Sequence, residues 1–258
     1  MRLLPRRLRH GEEATLVEHL EELRSRLITI LIAVALAFVV TYAFHGRLLD
    51  WLNHPLPEAF RKPTTFSPLE PFSTSLWVSF WAALLLVLPI VFWQVWAFFA
   101  PALDEGHQRS IVVLVAFSAV LAVAGIAFGY WLVLPPALRF LTSYDSTHFT
   151  ILIRARDYYR FAGMLLLAVA LAFEVPVFVL GLVRLRILSA ARLRRTWRMG
   201  VFVMVVIGVA LPGVDPVSTV LSTLPLVALY LLSIVLASIL EPRWRGSWEE
   251  EPLEAGSP

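Results

Sequence analysis

The sequence contains no cysteine and only one lysine, Lys62. Without cysteine the chain has no disulfide bonds, no thiol nucleophile and no iron–sulfur or other cysteine-ligated metal centre. Charge is scarce as well, because Asp, Glu, Lys and Arg make up 16% of the residues, against about 25% in ordinary soluble domains. Positive charge is therefore carried almost entirely by arginine, whose positions along the chain matter more than the net charge of +3.

Apolar residues fill 59% of the 258 positions, and the mean hydropathy is +0.75. They form runs long enough to cross the roughly 30 Å hydrocarbon core of a bilayer. The runs are too long and too continuously apolar for the alternating strands of a membrane barrel. Because backbone groups inside lipid must bond to one another, each run predicts a helix. The composition therefore predicts an all-α integral membrane protein.

Hydropathy predicts six membrane-spanning helices. They cover residues 26–44, 76–102, 111–134, 161–183, 197–211 and 217–240. The fifth run is the shortest and falls below the roughly 20 residues that a full crossing needs. Pro89, Pro176 and Pro225 lie inside the second, fourth and sixth runs, where each removes a backbone donor and favours a kink. We therefore expect a concave bundle of kinked helices.

About two thirds of the 22 arginine and lysine residues flank the predicted spans on the side that carries both chain ends. Because cytoplasmic loops are enriched in these residues, both termini are predicted to be cytoplasmic. We expect a cytoplasmic segment at residues 1–14, a membrane domain at 15–241 and a disordered cytoplasmic tail at 242–258. The protein should be a multi-pass protein of the cytoplasmic membrane, in contact with lipid and without a nucleic-acid partner.

The segment HLEELRSRL, residues 19–27, places charged side chains directly before the first span. Thr15 and Glu18 form a capping box, which predicts that a helix begins there and continues into the span. At about 100° per residue, the leucines share one stripe and the glutamates point away from it. Two interpretations of Glu22 stay open: a carboxylate offered to a cationic ligand, or a solvated i, i+4 pair with Arg26 worth about 0.3–0.5 kcal/mol.

Five stretches resemble the motifs of one family, the TatC subunits of the twin-arginine protein translocase. They follow the family's order and spacing and are HLEELRSRL (19–27), SPLEPF (67–72), QVWAFFAPAL (94–103), FEVP (173–176) and PGVDPVS (212–218). The resemblance covers nearly the whole chain. It implies six transmembrane helices with cytoplasmic ends, and export of folded proteins that carry an Arg-Arg signal peptide, driven by the transmembrane proton gradient.

The resemblance also implies partners. The chain would be the receptor for twin-arginine signal peptides and the core of an assembly with single-span subunits of the TatA and TatB type. Several copies of the chain are expected in one complex. No cofactor or metal is expected, and the sequence has no GxxxxGK[ST] phosphate-binding loop.

On the cytoplasmic side, the resemblance implies that Glu22 recognises the signal, with Arg24 beside it and His19 at the start of the motif. The family's second signal-binding carboxylate falls on His107 here, and a neutral or positive histidine does not attract arginine.

The short loop around His107 offers replacements for that carboxylate. Glu105, or Asp104 beside it, could supply the second carboxylate, and the alternative is an ordinary solvated loop. Pro101 in the same motif is expected only to end the second helix.

Glu174 lies within the fourth span, just before Pro176. An ionisable group at this depth costs several kcal/mol unless it faces protein or water, which makes it a functional candidate. If functional, it would line a polar face that admits part of the signal peptide or of a partner helix. The alternative is a structural carboxyl, either protonated or hydrogen-bonded across helices.

Three further residues match family positions on the outer side. Pro55 and Glu70 lie in the first outer loop, where an architectural role is expected. Asp215 should open the last helix, where a carboxylate is favoured by the positive end of the helix dipole. Thr219 and Leu231 replace polar residues that the family often has in the last span, so partner docking at that helix is expected to differ.

Two other functional classes fit the sequence less well. A secondary transporter of a small molecule is the nearer alternative, but it favours inverted repeats with broken helices at matching places, and no such repeat is found. An intramembrane enzyme is the third class. The sequence has neither a GxSxG nucleophile motif nor an HExxH zinc motif, so catalysis is not expected.

Overall fold

The structure is a computed structural model that describes residues 16–99, 108–145, 147–211 and 215–249. Within these ranges the chain forms ten α-helices, a 3-10 turn at Glu58–Phe60 and a π-helical turn at Gly129–Val133. The helices are α1 Leu16–Ala43, α2 His45–Asn53, α3 Glu70–Phe99, α4 Gln108–Phe128, α5 Leu134–Ser143, α6 Ala155–Phe173, α7 Val175–Arg184, α8 Ala190–Arg195, α9 Trp197–Ala210 and α10 Pro216–Glu249.

Five segments are long and apolar enough to cross a membrane. They are Leu20–Ala43, Glu70–Phe98, Leu114–Ser143, Ala155–Arg184 and Pro216–Pro242. The remaining apolar helix, α9, has only 14 residues, in agreement with the short fifth span that the sequence predicts. The prediction of an all-α membrane protein with six apolar helices is confirmed.

The fourth crossing is interrupted where α6 and α7 meet at Glu174. Pro176 has no backbone N–H, and its ring obstructs the carbonyl of the preceding turn, so an unbroken helix is unfavourable there. The Glu174 amide donates instead to the carbonyl oxygen of Leu171 at 3.1 Å. Pro89 and Pro225 differ, because α3 and α10 continue through them. The break at Pro176 therefore leaves a polar side chain at a helix junction inside the bundle.

The fourth crossing also forms the centre of the packing. Of its most apolar stretch, 67% is buried, against 11% for the first crossing. One apolar cluster joins α3, α4, α7 and α10 and includes Trp96 and Leu180. A second cluster joins α2, α5 and α6 and includes Leu134 and Tyr158. The first crossing is therefore peripheral, and most of its surface is left for lipid or partners.

Helix α10 continues to Glu249, past residue 241, where the sequence predicts the end of the membrane domain. Trp244 packs against the cluster that contains Trp96, and the guanidinium of Arg184 lies 5.3 Å from the centroid of its ring. These tertiary contacts give the end of the helix a packed partner that hydropathy alone does not show. Residues 250–258 lie outside the described ranges.

Glu70, the first residue of α3, joins the first outer loop to the start of α6. Its carboxylate is almost fully buried and accepts hydrogen bonds from Nε of Arg154 at 2.9 Å and from the backbone N–H of Phe66 at 3.0 Å. Its hydrogen bond to Arg154 raises the pKa of that guanidinium above its usual value. Pro55 is half-buried between α2 and the 3-10 turn. These placements fit the architectural role expected for both residues.

Asp215 caps the start of α10. Its Oδ1 accepts a hydrogen bond from the backbone N–H of Ser218 at 2.7 Å, and the residue is buried. Replacing Asp215 by alanine removes this acceptor, so we expect the free energy of unfolding to fall by about 1–2 kcal/mol. Thermal unfolding in detergent, followed by circular dichroism, measures the change. Asp215→Asn keeps a capping oxygen and serves as the control, and an equal loss in both variants would contradict the capping role.

Candidate functional site

The first and third family-like motifs meet where α1 and α3 lie side by side, on the predicted cytoplasmic side. Arg26 of α1 makes the connection. Its Nη1 donates to Oε1 of Gln94 at 3.1 Å, and its Nη2 donates to the carbonyl oxygen of Ala97 at 2.9 Å. Residues about seventy positions apart are thus joined by one guanidinium.

The same guanidinium holds Glu22. Nε and Nη2 of Arg26 donate to Oε1 of Glu22 at 3.0 Å and 2.5 Å. The side chains of Glu22 and Arg26 are 24% and 22% exposed, so the pair is not fully solvated. The i, i+4 pair that the sequence allowed is therefore present, but partial burial and the bonds to α3 make it more than a surface pair.

The two carboxylate oxygens of Glu22 differ in the hydrogen bonds that they accept. Among the residues that the structure describes, Oε1 accepts both hydrogen bonds from Arg26 and none reaches Oε2. A carboxylate can accept about four hydrogen bonds. Glu22 thus keeps acceptor capacity for a further donor, at the edge of the bundle and next to the apolar run of α1.

The leucine stripe of α1 faces away from the protein. Leu20, Leu23 and Leu27 are about half exposed or more, whereas Glu22 and Arg26 on the other side of the helix pack against α3. In water this arrangement would be inverted, because leucines would be buried and charges exposed. The orientation fits a helix whose outer face meets lipid or an apolar partner.

The other predicted residues of this region are placed as follows. Arg24 is exposed, and no hydrogen bond or ion pair to it occurs within the described part of the chain. His19 belongs to α1, but its side chain is outside the described residues. Pro101, Glu105 and His107 lie outside the described ranges altogether, so their predicted roles stay predictions. Arg26, rather than Arg24, is the arginine in contact with Glu22.

Glu174 forms a second polar site, inside the bundle. The residue is completely buried, and its Oε2 accepts a hydrogen bond from Oγ of Ser118 on α4 at 2.7 Å. Its Oε1 has no hydrogen-bond partner within the described residues. This geometry resembles the carboxyl hydrogen-bonded across helices that the sequence left open as one interpretation. Ser118 was not predicted, because a single serine in an apolar run has no distinguishing pattern.

Neither site has the composition of a metal centre. No group of three or more His, Cys, Asp or Glu side chains that could hold a metal ion occurs in ranges 16–99, 108–145, 147–211 and 215–249. What the geometry offers is a partly exposed carboxylate at the start of the first crossing, which can accept a bond from a cation, and a buried carboxyl with an unused acceptor oxygen.

Known proteins resemble this chain over most of its length. The sequence model of the Sec-independent protein translocase protein (TatC) matches residues 18–225. The TatC protein of Koribacter versatilis (strain Ellin345) is 32% identical over 250 residues, which cover 93% of this chain and 92% of that protein. The chain belongs to the TatC family. It is therefore a subunit of a Sec-independent protein translocase.

Two further comparisons agree with membership of the TatC family. The protein TatCd of Bacillus subtilis (strain 168) is 32% identical over 229 residues, 89% of this chain and 93% of that protein. A crystal structure of the twin arginine translocase receptor TatC in DDM has a TM-score of 0.75 and 29% identity, over 85% of this chain and 99% of that one. The predicted family, fold and multi-pass membrane location are confirmed, and protein translocation rather than small-molecule transport is the function.

Proposed function

We propose that the protein is the signal-peptide receptor of its translocase and that Glu22 binds a guanidinium of the Arg-Arg signal. The observation that carries this proposal is the position of Glu22, a partly exposed carboxylate with acceptor capacity left over at the junction of α1 and α3. Near the membrane surface, reduced hydration strengthens a bond between guanidinium and carboxylate. An arriving arginine can therefore gain more here than at a solvated glutamate.

The second arginine of the signal needs an acceptor of its own. We propose that Glu105 provides it from the segment between α3 and α4, because the family's usual carboxylate position holds His107 in this sequence. We propose that Arg24 and His19 also take part in signal binding. The support is the motif order along the chain together with the contact between α1 and the end of α3.

We also propose that this chain assembles with single-span subunits of the TatA and TatB type and with further copies of itself, to export folded proteins at the expense of the proton gradient. The surfaces available are apolar. Leu20 and Leu27 on α1, and Met199 and Phe202 on α9, are each more than half exposed. Helix α9 is too short for a full crossing of about 20 residues, which favours a partner helix beside it.

Inside the bundle, we propose that Glu174 is a functional polar group rather than a structural one. The support is its unused acceptor Oε1 at a helix break, where backbone rearrangement is easier than inside a continuous helix. A polar residue of an entering helix would find an acceptor there. If the carboxyl then accepted a hydrogen bond from this residue in place of the one from Ser118, it would stay hydrogen-bonded throughout.

The signal-binding proposal is tested by Glu22→Gln, which keeps the size of the side chain but removes its charge. Membranes carrying the chain are photo-crosslinked to an Arg-Arg signal peptide and to its Lys-Lys counterpart. We expect the variant to bind the Arg-Arg peptide at least about tenfold more weakly than wild type, because a charge-assisted bond is lost.

Glu21→Gln is the matched control, because Glu21 is the exposed neighbour of Glu22 and its replacement removes the same charge. It should leave labelling unchanged. Equal labelling of wild type and Glu22→Gln, or equal labelling by both peptides in wild type, would reject signal recognition by Glu22.

A further inference from the structure

Glu22 already holds a guanidinium. Arg26 directs two N–H groups to Glu22, one to Gln94 and one to the carbonyl of Ala97. Four of its five donors are thus used, in a site where each side chain is less than a quarter exposed. The ligand group that the proposed function requires is therefore present in the site before any signal peptide arrives.

The pair of Glu22 and Arg26 changes how strongly an arriving cation is attracted to the site. A lone carboxylate attracts lysine and arginine alike, because both carry one positive charge. A carboxylate paired with Arg26 presents no net charge, so a new cation at the unused Oε2 gains a hydrogen bond but little net attraction. It binds Glu22 strongly only by replacing the hydrogen bonds that Arg26 makes to Oε1. A planar guanidinium can offer two N–H groups to one carboxylate, whereas an ammonium is a compact, strongly hydrated point charge.

We propose that Arg26 is an internal competitor that makes this site selective for arginine over lysine. A signal side chain binds Glu22 tightly only if it also replaces the bonds that Arg26 makes to Oε1, and a guanidinium meets this condition where an ammonium does not. The inference rests on the proposed function of Glu22. It is an example of selectivity by penalising the wrong ligand, rather than by improving contacts with the right one.

The bonds of Arg26 to α3 make the exchange feasible. When Glu22 is transferred to a signal arginine, Arg26 can still donate to Oε1 of Gln94 and to the carbonyl oxygen of Ala97. Its guanidinium is then not left buried without acceptors, which would be costly. Gln94 therefore keeps Arg26 hydrogen-bonded after Glu22 has been transferred, which explains a polar amide inside the apolar run of α3.

A purely structural role for Arg26 predicts the opposite result. If Arg26 only holds Glu22 in the right orientation, its removal should weaken the binding of both peptides and leave the preference for arginine unchanged. If Arg26 competes, its removal should strengthen the binding of the Lys-Lys peptide most. The ratio of the two dissociation constants separates the roles, and a general change in surface charge cancels in this ratio.

The experiment measures Kd for fluorescent Arg-Arg and Lys-Lys signal peptides on the full-length chain in nanodiscs. The variants are Arg26→Gln and Arg26→Lys, and Arg192→Gln is the control because it removes an exposed arginine of α8. We expect the ratio of Lys-Lys to Arg-Arg Kd to fall about tenfold in both Arg26 variants, since a fork of bonds no longer has to be replaced. Arg192→Gln should leave the ratio unchanged.

An unchanged ratio in the Arg26 variants, or weaker Arg-Arg binding with no gain for Lys-Lys, would overturn the proposal. Arg26→Lys keeps the charge and decides the matter if Arg26→Gln fails to fold. Glu22→Gln in the same assay separates the two levels of inference. If wild type shows no preference, or Glu22→Gln loses no affinity, the proposed function fails. If wild type prefers the Arg-Arg peptide and Glu22→Gln loses affinity, but the Arg26 variants keep the preference, only the proposed role of Arg26 fails.

Discussion

Gly181→Ala is expected to lower the free energy of unfolding by about 3 kcal/mol, the upper end of the usual range for overpacked cores. A Cβ at this position would lie 1.6 Å from Cη2 and 2.2 Å from Cζ3 of Trp96. The indole of Trp96 is rigid and buried within the cluster that joins α3 to α7, so moving it aside disrupts packed neighbours. Either the ring must leave its rotamer or α7 must move away from α3.

Gly46→Ala is the matched control for this prediction. Gly46 lies in α2, and apart from its chain neighbours and the backbone of its own helix no atom lies within 4 Å of a Cβ placed there. Because glycine inside a helix is less favourable than alanine by about 0.5–1 kcal/mol, we expect this variant to be slightly more stable. Thermal unfolding in detergent, followed by circular dichroism, compares the two. Equal midpoints for both variants would show that the contact between α3 and α7 tolerates a methyl group.

The double variant Ser118→Ala with Glu174→Leu is expected to fold normally and to lose export. Removing both partners of a buried polar pair, with side chains of similar size, is often neutral or stabilising. We therefore expect the bundle to hold together without the completely buried carboxyl of Glu174. If Glu174 accepts a hydrogen bond during transport, export of an Arg-Arg reporter should fall by at least about tenfold, which corresponds to one such bond.

Ser118→Ala alone is the control, because it keeps the carboxyl and removes only its resting partner. Reporter export and the midpoint of thermal unfolding are measured for each variant. We expect Ser118→Ala to retain most of the activity. Normal export by the double variant would reject the functional role of Glu174, and a double variant that fails to fold would show that the carboxyl stabilises the helix break.

Prediction of the helices succeeded where the physical rule is local. Crossing a membrane requires a run of apolar residues of sufficient length, and this is visible in the sequence, down to the short helix α9. The break at Glu174 could also be expected, since Pro176 cannot donate its backbone nitrogen. Hydropathy does not predict that α10 continues through residues 242–249, where Trp244 packs against Arg184.

Prediction of the site was less complete, as Arg26 illustrates. Periodicity shows that Arg26 and Glu22 can meet one turn apart on a helix. It does not show that Gln94 and Ala97 of another helix share the same guanidinium, which changes a solvated surface pair into a partly buried junction. In the same way, Ser118 has no sequence signal that links it to Glu174.

The sequence by itself determined the membrane class, the six apolar helices, the enrichment of arginine on one side of the spans and the resemblance to TatC. Hydropathy, charge and short motifs are properties of single segments. Only the tertiary structure decided which donors surround Glu22, which hydroxyl reaches Glu174, and that Gly181 leaves room for the ring of Trp96. These contacts depend on how each helix is rotated and shifted against its neighbours. The free energy that sets this arrangement comes from side-chain packing across many helices at once.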